Sequence, residues 1–149
     1  MWAAFMIDFS EYKEAKLTDI CKIERAKKNK AYPKGSILIA ISATKGQTYI
    51  LDKETTVDGK YAVLTVLRDN PYYIYSLIKK EMQHFLQKYQ TGLNIQPQVF
   101  KYFKISVHNL ETQNYIAKII KEIDVELSEE GKTIEGFKNV KKNFLDRMF

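Results

Sequence analysis

The sequence holds a single cysteine, Cys21, and two histidines, His84 and His108. One thiol cannot close an internal disulfide, and one thiol with two imidazoles falls short of the four-ligand Cys/His sets that hold structural zinc. No metal site is expected, and the cysteine usage suits a reducing cytoplasm. Cys21 lies in an apolar alternating run, which favours a buried structural thiol over a nucleophile. Apolar runs are also missing at the length of about 18 residues that a membrane span requires. Trp2 to Ile7 is apolar but short, has no basic leader and is followed by Asp8 and Glu11. It reads as a first buried element, not a signal peptide. Glycine is sparse at 6 residues, and Gly46 and Gly59 stand alone. There is no phosphate-binding loop, dinucleotide fingerprint, metal-ligand pattern or nucleophile elbow. The expectation is a protein with no catalytic residues and no cofactor.

What is present is enough for one folded domain. Of the 149 residues, 45% are hydrophobic and 28% charged. The net charge of +6 is unevenly spread. Residues 1–110 carry 17 Lys+Arg and 10 Asp+Glu, whereas residues 111–149 carry 7 and 8. The basic excess belongs to the first part, where it would attract a polyanion, nucleic acid being the commonest. A basic protein that is simply soluble has the same charge.

Local pattern divides the chain at the same place. Leu17 to Ile23 reads as the start of a strand, leading into the basic loop from Glu24 to Lys30. Ser36 to Ile41 is a β-branched run expected to form a buried strand. The glycine-containing loop from Ser42 to Gln47 follows, then short strands over Thr48 to Leu51 and Tyr61 to Leu67 with an Asp58-Gly59 turn between them. Asn70 and Pro71 open a helix as cap and first residue, and Thr91-Gly92 closes it. Tyr72, Tyr73 and Tyr75 cluster at its start, more simply read as packing on the sheet than as base stacking. Phe100 to Val107 reads as one more strand, and Asn109 can cap a last helix running toward Phe149. The fold class is α+β: a small mixed α/β domain over residues 1–110, then a long C-terminal helix over 111–149.

That helix carries a heptad seam. Ile120, Ile123, Leu127, Glu130, Ile134, Phe137, Lys141, Phe144 and Met148 recur at alternating steps of three and four. From Ile120 to Met148 the helix would reach roughly 42 Å, longer than a body of this size can cover, so part of the seam requires a partner. Two copies packed antiparallel, with paired residue numbers summing to 271, set Glu130 against Lys141, Ile134 against Phe137, Leu127 against Phe144 and Ile123 against Met148. A shift by one heptad would leave Glu130 facing hydrocarbon, which is costly. Gly131 and Gly136 interrupt an otherwise regular helix.

The segment Tyr89-Gln90-Thr91-Gly92-Leu93-Asn94-Ile95-Gln96 precedes a strand that leads into Leu110-Glu111-Thr112-Gln113-Asn114-Tyr115-Ile116-Ala117. Ile123-Asp124 follows, and Phe137-Lys138-Asn139-Val140-Lys141-Lys142-Asn143-Phe144-Leu145-Asp146-Arg147-Met148-Phe149 ends the chain. With the opening Lys16-Leu17-Thr18-Asp19-Ile20-Cys21-Lys22-Ile23, these segments resemble the target-recognition domain and following helix of type I restriction-modification specificity subunits. The resemblance covers roughly residues 16 to 149. Full family members carry two recognition domains and two long helices, and this chain has one of each. It also has Val107-His108-Asn109-Leu110 where the family often has a proline-rich strand end.

The resemblance thus implies a non-catalytic half specificity subunit. Its partners would be double-stranded DNA, a second copy or another half subunit, and a methyltransferase subunit, all in the cytoplasm. Phosphate contacts are expected from Arg25, Lys27, Lys28 and Lys30, four cations within six residues. Base-edge contacts are expected from Thr44, Lys45 and Gln47, since lysine meets guanine acceptors and glutamine pairs with adenine. Gln90, Asn94 and Gln96 form a second candidate set. Each of these residues would equally serve as a solvated loop position. The rival function is a non-catalytic assembly or decoy protein of phage or prophage type that modulates a restriction-modification complex through the helix.

Overall fold

A computed structural model describes residues 9–89, 95–129, 142, 146 and 147. In chain order these form β1 (Lys13–Lys16), a single helical turn α1 (Leu17–Ile20), β2 (Cys21–Arg25), β3 (Ala31–Tyr32), β4 (Ile37–Ala40), β5 (Thr48–Ile50), β6 (Thr55–Thr56), β7 (Tyr61–Val66), α2 (Pro71–Tyr89), a 3-10 helical turn (Pro97–Tyr102), β8 (Lys104–Val107) and α3 (Leu110–Glu129). The chain divides into two compact units, Glu14–Ile105, and Met1–Lys13 with Ser106–Phe149. The expected buried element over Trp2 to Ile7 lies outside the described residues.

The larger unit is built on a four-stranded sheet in the order β2-β7-β4-β5. All three pairings are antiparallel. The uninterrupted run Ile37-Leu38-Ile39-Ala40 is buried along its whole length, as an inner strand covered on both faces must be. Pairing decides which residues share a face. Leu38 stands opposite Val63, and both join Ala26 and Tyr32 in one apolar cluster, with Leu51, Val57 and Tyr61 at its margin. The small ribbon formed by β3 and β6 places Tyr32 on this side. Ile37 and Ile39 stand opposite Leu64 and Ala62, and all four are fully buried. Helix α2 lies along β5.

Helix α2 begins as its sequence dictates. The Asn70 side chain accepts a hydrogen bond from the Tyr73 N–H at 3.0 Å, and Pro71 occupies the first helical position. Tyr73, Ile74, Leu77, Ile78, Met82 and Phe85 form its buried row, at helical spacing. Tyr72 and Tyr75 are half-buried with rings 5.5 Å apart. The closing Thr91-Gly92 lies outside the described residues.

Two local expectations are corrected. Leu17 to Ile20 is a helical turn, with the strand starting only at Cys21. The Leu17 N–H donates to the Phe103 carbonyl at 2.9 Å, a tertiary bond that diverts the chain from the extended form. Pro97 to Tyr102 is a 3-10 turn, and the strand is confined to Lys104–Val107. Phe100 and Phe103, three apart, both stack on Phe85, at ring distances of 6.0 and 4.3 Å. In the smaller unit, the Asn109 side chain caps α3 by accepting from the Thr112 N–H at 2.9 Å. Buried Gln113 donates its amide to the His108 carbonyl at 2.7 Å. His108 is itself buried, its ring nitrogen 2.9 Å from the Phe9 carbonyl, which gives it a structural place.

Candidate nucleic-acid interface

The antiparallel order brings distant loops to one end of the sheet. β2 finishes at Arg25, opposite Ala62 near the start of β7. β4 finishes at Ala40, opposite Tyr61. β5 begins at Thr48, opposite Ile39. Loops 26–30, 41–47 and 57–60 therefore emerge together, and backbone bonds join them. Ala26 N–H donates to Tyr61 O at 3.0 Å, Ile41 N–H to Lys60 O at 2.9 Å, and Ile95 N–H to Ile41 O at 2.8 Å. The last bond brings the segment holding Gln96 to the same end. Arg25 Nε donates to Gly59 O at 2.8 Å, linking the first loop to the third.

Charge follows this geometry. The clustered loops and the adjoining end of β2 carry Arg25, Lys27, Lys28, Lys30, Lys45 and Lys60, against the carboxylates Glu24 and Asp58. Asp58 is engaged in its own turn, accepting from the Lys60 N–H at 2.9 Å. At the opposite end of the sheet, Lys34, Lys53 and Arg68 are matched by Asp52, Glu54 and Asp69. The basic excess of the first 110 residues is thus polarised toward one set of loops.

The first loop is internally braced. Glu24, opposite Val63 in the ladder, accepts from Lys30 Nζ at 2.7 Å and pairs with Lys27 Nζ at 3.4 Å. The Lys30 hydrogen bond, aided by Lys27, holds the Glu24 carboxyl below its usual range. The same bond raises Lys30. Lys30 also lies over the Tyr32 ring, 5.1 Å from its centre, and the Tyr32 hydroxyl accepts from the Lys27 N–H at 3.0 Å. Asn29 adopts φ 63°, the left-handed region that asparagine tolerates better than most residues. Arg25, Lys27 and Lys28 are exposed.

The second loop is held tightly. Gly46 has φ 86°, and a Cβ there would lie 2.5 Å from Leu86 Cδ1 and 3.2 Å from Met82 Cγ. Thr44 takes φ 56°, an uncommon place for a β-branched residue. Thr44 and Gln47 are exposed and Lys45 is half-buried. Gln47 Oε1 accepts from the Tyr49 hydroxyl at 2.5 Å, and Tyr49 meets Tyr61 edge-on at 6.0 Å. Lys60 Nζ lies over Tyr61 at 5.4 Å. Sequence reading missed Lys60, Tyr49 and Tyr61, since only the sheet order places them beside Gln47. The Asp58-Gly59 turn was the one local sign that Lys60 would sit at a loop tip.

Among the other expected site residues, Gln96 is exposed, while Gln90 and Asn94 lie outside the described residues. On the last helix Ile120 is fully buried and Ile123 half-buried. Leu127 lies within α3. Glu130, Ile134, Phe137, Lys141, Phe144 and Met148 lie outside the described residues, as do Gly131 and Gly136. Among the described residues no three His, Cys, Asp or Glu side chains gather as metal ligands, and no helix is long and apolar enough to cross a membrane.

The larger unit is a small antiparallel sheet flanked by a helix, with one basic end built from several loops. Residues 23–135 match the family model described as the type I restriction modification DNA specificity domain, and the chain belongs to that family. Solved structures agree in fold. The S subunit of the type I restriction-modification system from M. genitalium aligns with TM-score 0.68 at 14% identity, over 80% of this chain and 40% of that one. A chain from a structural study of complex assembly and conformational transition of the type I R-M system aligns with TM-score 0.65 at 16% identity, over 92% and 45%. The HsdS subunit from Thermoanaerobacter tengcongensis aligns with TM-score 0.63 at 14% identity, over 93% and 44%. The chain spans less than half the length of each of these three chains.

Proposed function

We propose that this chain is a half specificity subunit that reads DNA sequence through the basic loop end of its sheet. The observation that carries this reading is the convergence of loops 26–30, 41–47 and 57–60, with the Gln96 segment, on one backbone-linked surface. Arg25, Lys27, Lys28 and Lys30 supply phosphate contacts that set register on the duplex. Thr44, Lys45 and Gln47 meet base edges, with Gln96 as a further candidate at this end and Gln90 and Asn94 as candidates from the sequence alone. The chain performs no bond chemistry, acts in the cytoplasm and serves a methyltransferase subunit as its DNA reader.

The last helix completes the molecule by pairing with a second copy or with another half subunit. Ile120 is already buried within the chain, so the intermolecular seam starts at Ile123 or beyond. In the antiparallel register Glu130 faces Lys141, an ion pair that selects alignment more than it adds stability. Two-fold protein symmetry then demands an inverted-repeat target with a gap.

The test is selection from a random double-stranded DNA pool at near-physiological salt, with and without a methyltransferase subunit from the same system. Enrichment of a gapped inverted repeat is expected. Enrichment of nothing in either condition, with binding that fades steeply as salt rises, would move the assignment to an assembly or decoy protein acting through the helix.

A further inference from the structure

At the end of β2, beside the basic loop, stands a carboxylate that a purely charge-driven DNA contact would not include. Glu24 takes one lysine on each oxygen: Lys30 Nζ lies 2.7 Å from Oε1 and Lys27 Nζ 3.4 Å from Oε2. Its side chain is only 17% exposed, against 68% for Lys27 and 40% for Lys30. The lysines are therefore presented to solvent from an anchor held in the sheet. The left-handed Asn29 and the Lys30 N–H bond to Lys27 O at 3.3 Å turn the loop back so that both lysines reach one carboxylate. Tyr32 holds the other side, through its ring beneath Lys30 and its hydroxyl on the Lys27 N–H.

We propose that Glu24 is a specificity-determining residue, which restrains Lys27 and Lys30 so that the loop holds unmatched DNA weakly and matched DNA in register. The proposal rests on the assignment of this loop to DNA. On unmatched DNA the attraction comes from phosphates and scales with the cations free to neutralise them. A phosphate that takes Lys27 or Lys30 must displace an existing ion pair, so the non-specific term is lowered. On the matched site the base-edge contacts of the neighbouring loops offset that displacement, which a random duplex does not allow. Discrimination is the difference between the two affinities, and a built-in repulsive group widens it.

The experiment measures binding of the full chain to a random-sequence duplex by fluorescence anisotropy across 50 to roughly 200 mM salt. Wild type is compared with Glu24→Gln, Glu24→Asp and Lys28→Ala, the fold of each being checked by circular dichroism and thermal melting. Glu24→Gln is expected to bind the random duplex several-fold more tightly at low salt. Its plot of log affinity against log salt should steepen by about 0.9 for each lysine released. Glu24→Asp keeps the charge and should follow wild type. Should Glu24→Gln fail to fold, Glu24→Thr removes the carboxylate with a residue suited to a strand. Lys28→Ala should weaken binding and flatten the slope by about one. If Lys28→Ala has this effect while removal of the Glu24 carboxylate leaves affinity and slope unchanged or lower, the role of Glu24 is overturned and the DNA reading stands. If neither change alters binding, the loop does not face DNA and both fall together.

Discussion

Gly46 and Thr44 both hold left-handed backbone within one short loop, at φ 86° and 56°. Only the glycine does so without steric cost. Gly46→Ala should lower stability by about 1–2 kcal/mol through backbone strain alone, with further loss from its approach to Leu86 and Met82. Thr44→Asn, which suits this region better, should raise stability by about 1 kcal/mol. Urea unfolding of both variants checks the pair of signs. A loss of DNA discrimination in Thr44→Asn would show that the strained residue serves recognition.

Cys21 is buried and its thiol is pushed up to about 12, mainly by burial and secondarily by the Asp69 charge. It should resist alkylation in the folded protein at neutral pH and react once the chain is unfolded. Glu24 titrates below its ordinary value of 4.5, so the folded state favours its charged form. That stabilisation is complete above pH 4.5 and disappears as pH falls through the depressed folded value. The difference in urea midpoint between wild type and Glu24→Gln should therefore close in acid. A difference that persists there would mean that the Glu24 charge is not its source.

Among the elements, the helix starts are local and the 3-10 turn is not. Asn70 and Asn109 each cap through their own side chain three residues on, and each is recognisable from sequence. Replacing either with alanine should cost about 1 kcal/mol, visible as a lowered urea midpoint. Asn109→Ala also tests whether the start of α3 matters for assembly, because Gln113 is tied to His108 in the same turn. The stretch from Phe100 to Val107 is rich in aromatic and β-branched residues, a composition that reads as strand. Its first half instead winds into a 3-10 turn, where Phe100 and Phe103 fall on one side and reach Phe85. Pro97, at the start of that turn, was the local sign of it. The two-residue strands β3 and β6 have no periodicity long enough to read, and Tyr32 of β3 packs in the cluster with Leu38 and Val63.

For the whole molecule, the assembly proposal makes a charge-exchange prediction. Glu130→Lys should weaken self-association by placing two lysines face to face, and adding Lys141→Glu should restore it. Sedimentation equilibrium measures both. A double variant no better than the single one would reject the antiparallel register. DNA binding separates the loops further. Gln47→Ala should lose preference for the matched site, whereas Lys28→Ala should lose affinity on all duplexes alike.

The α+β class, the buried inner strand β4, the capped starts of α2 and α3, the basic bias of the first 110 residues and the family resemblance are all legible in the sequence. Each of these depends on neighbours within a few positions, or on sums over many residues. Tertiary structure decided which loops stand together. Arg25, Gly46 and Lys60 are far apart along the chain, and only the order β2-β7-β4-β5 brings their loops to one end. It also decided that Glu24 would restrain its basic neighbours, because a carboxylate near lysines in sequence becomes an anchor only when strand pairing fixes its position and the loop turns back. Strand order and loop closure depend on contacts between residues distant in sequence, which a local residue pattern does not specify.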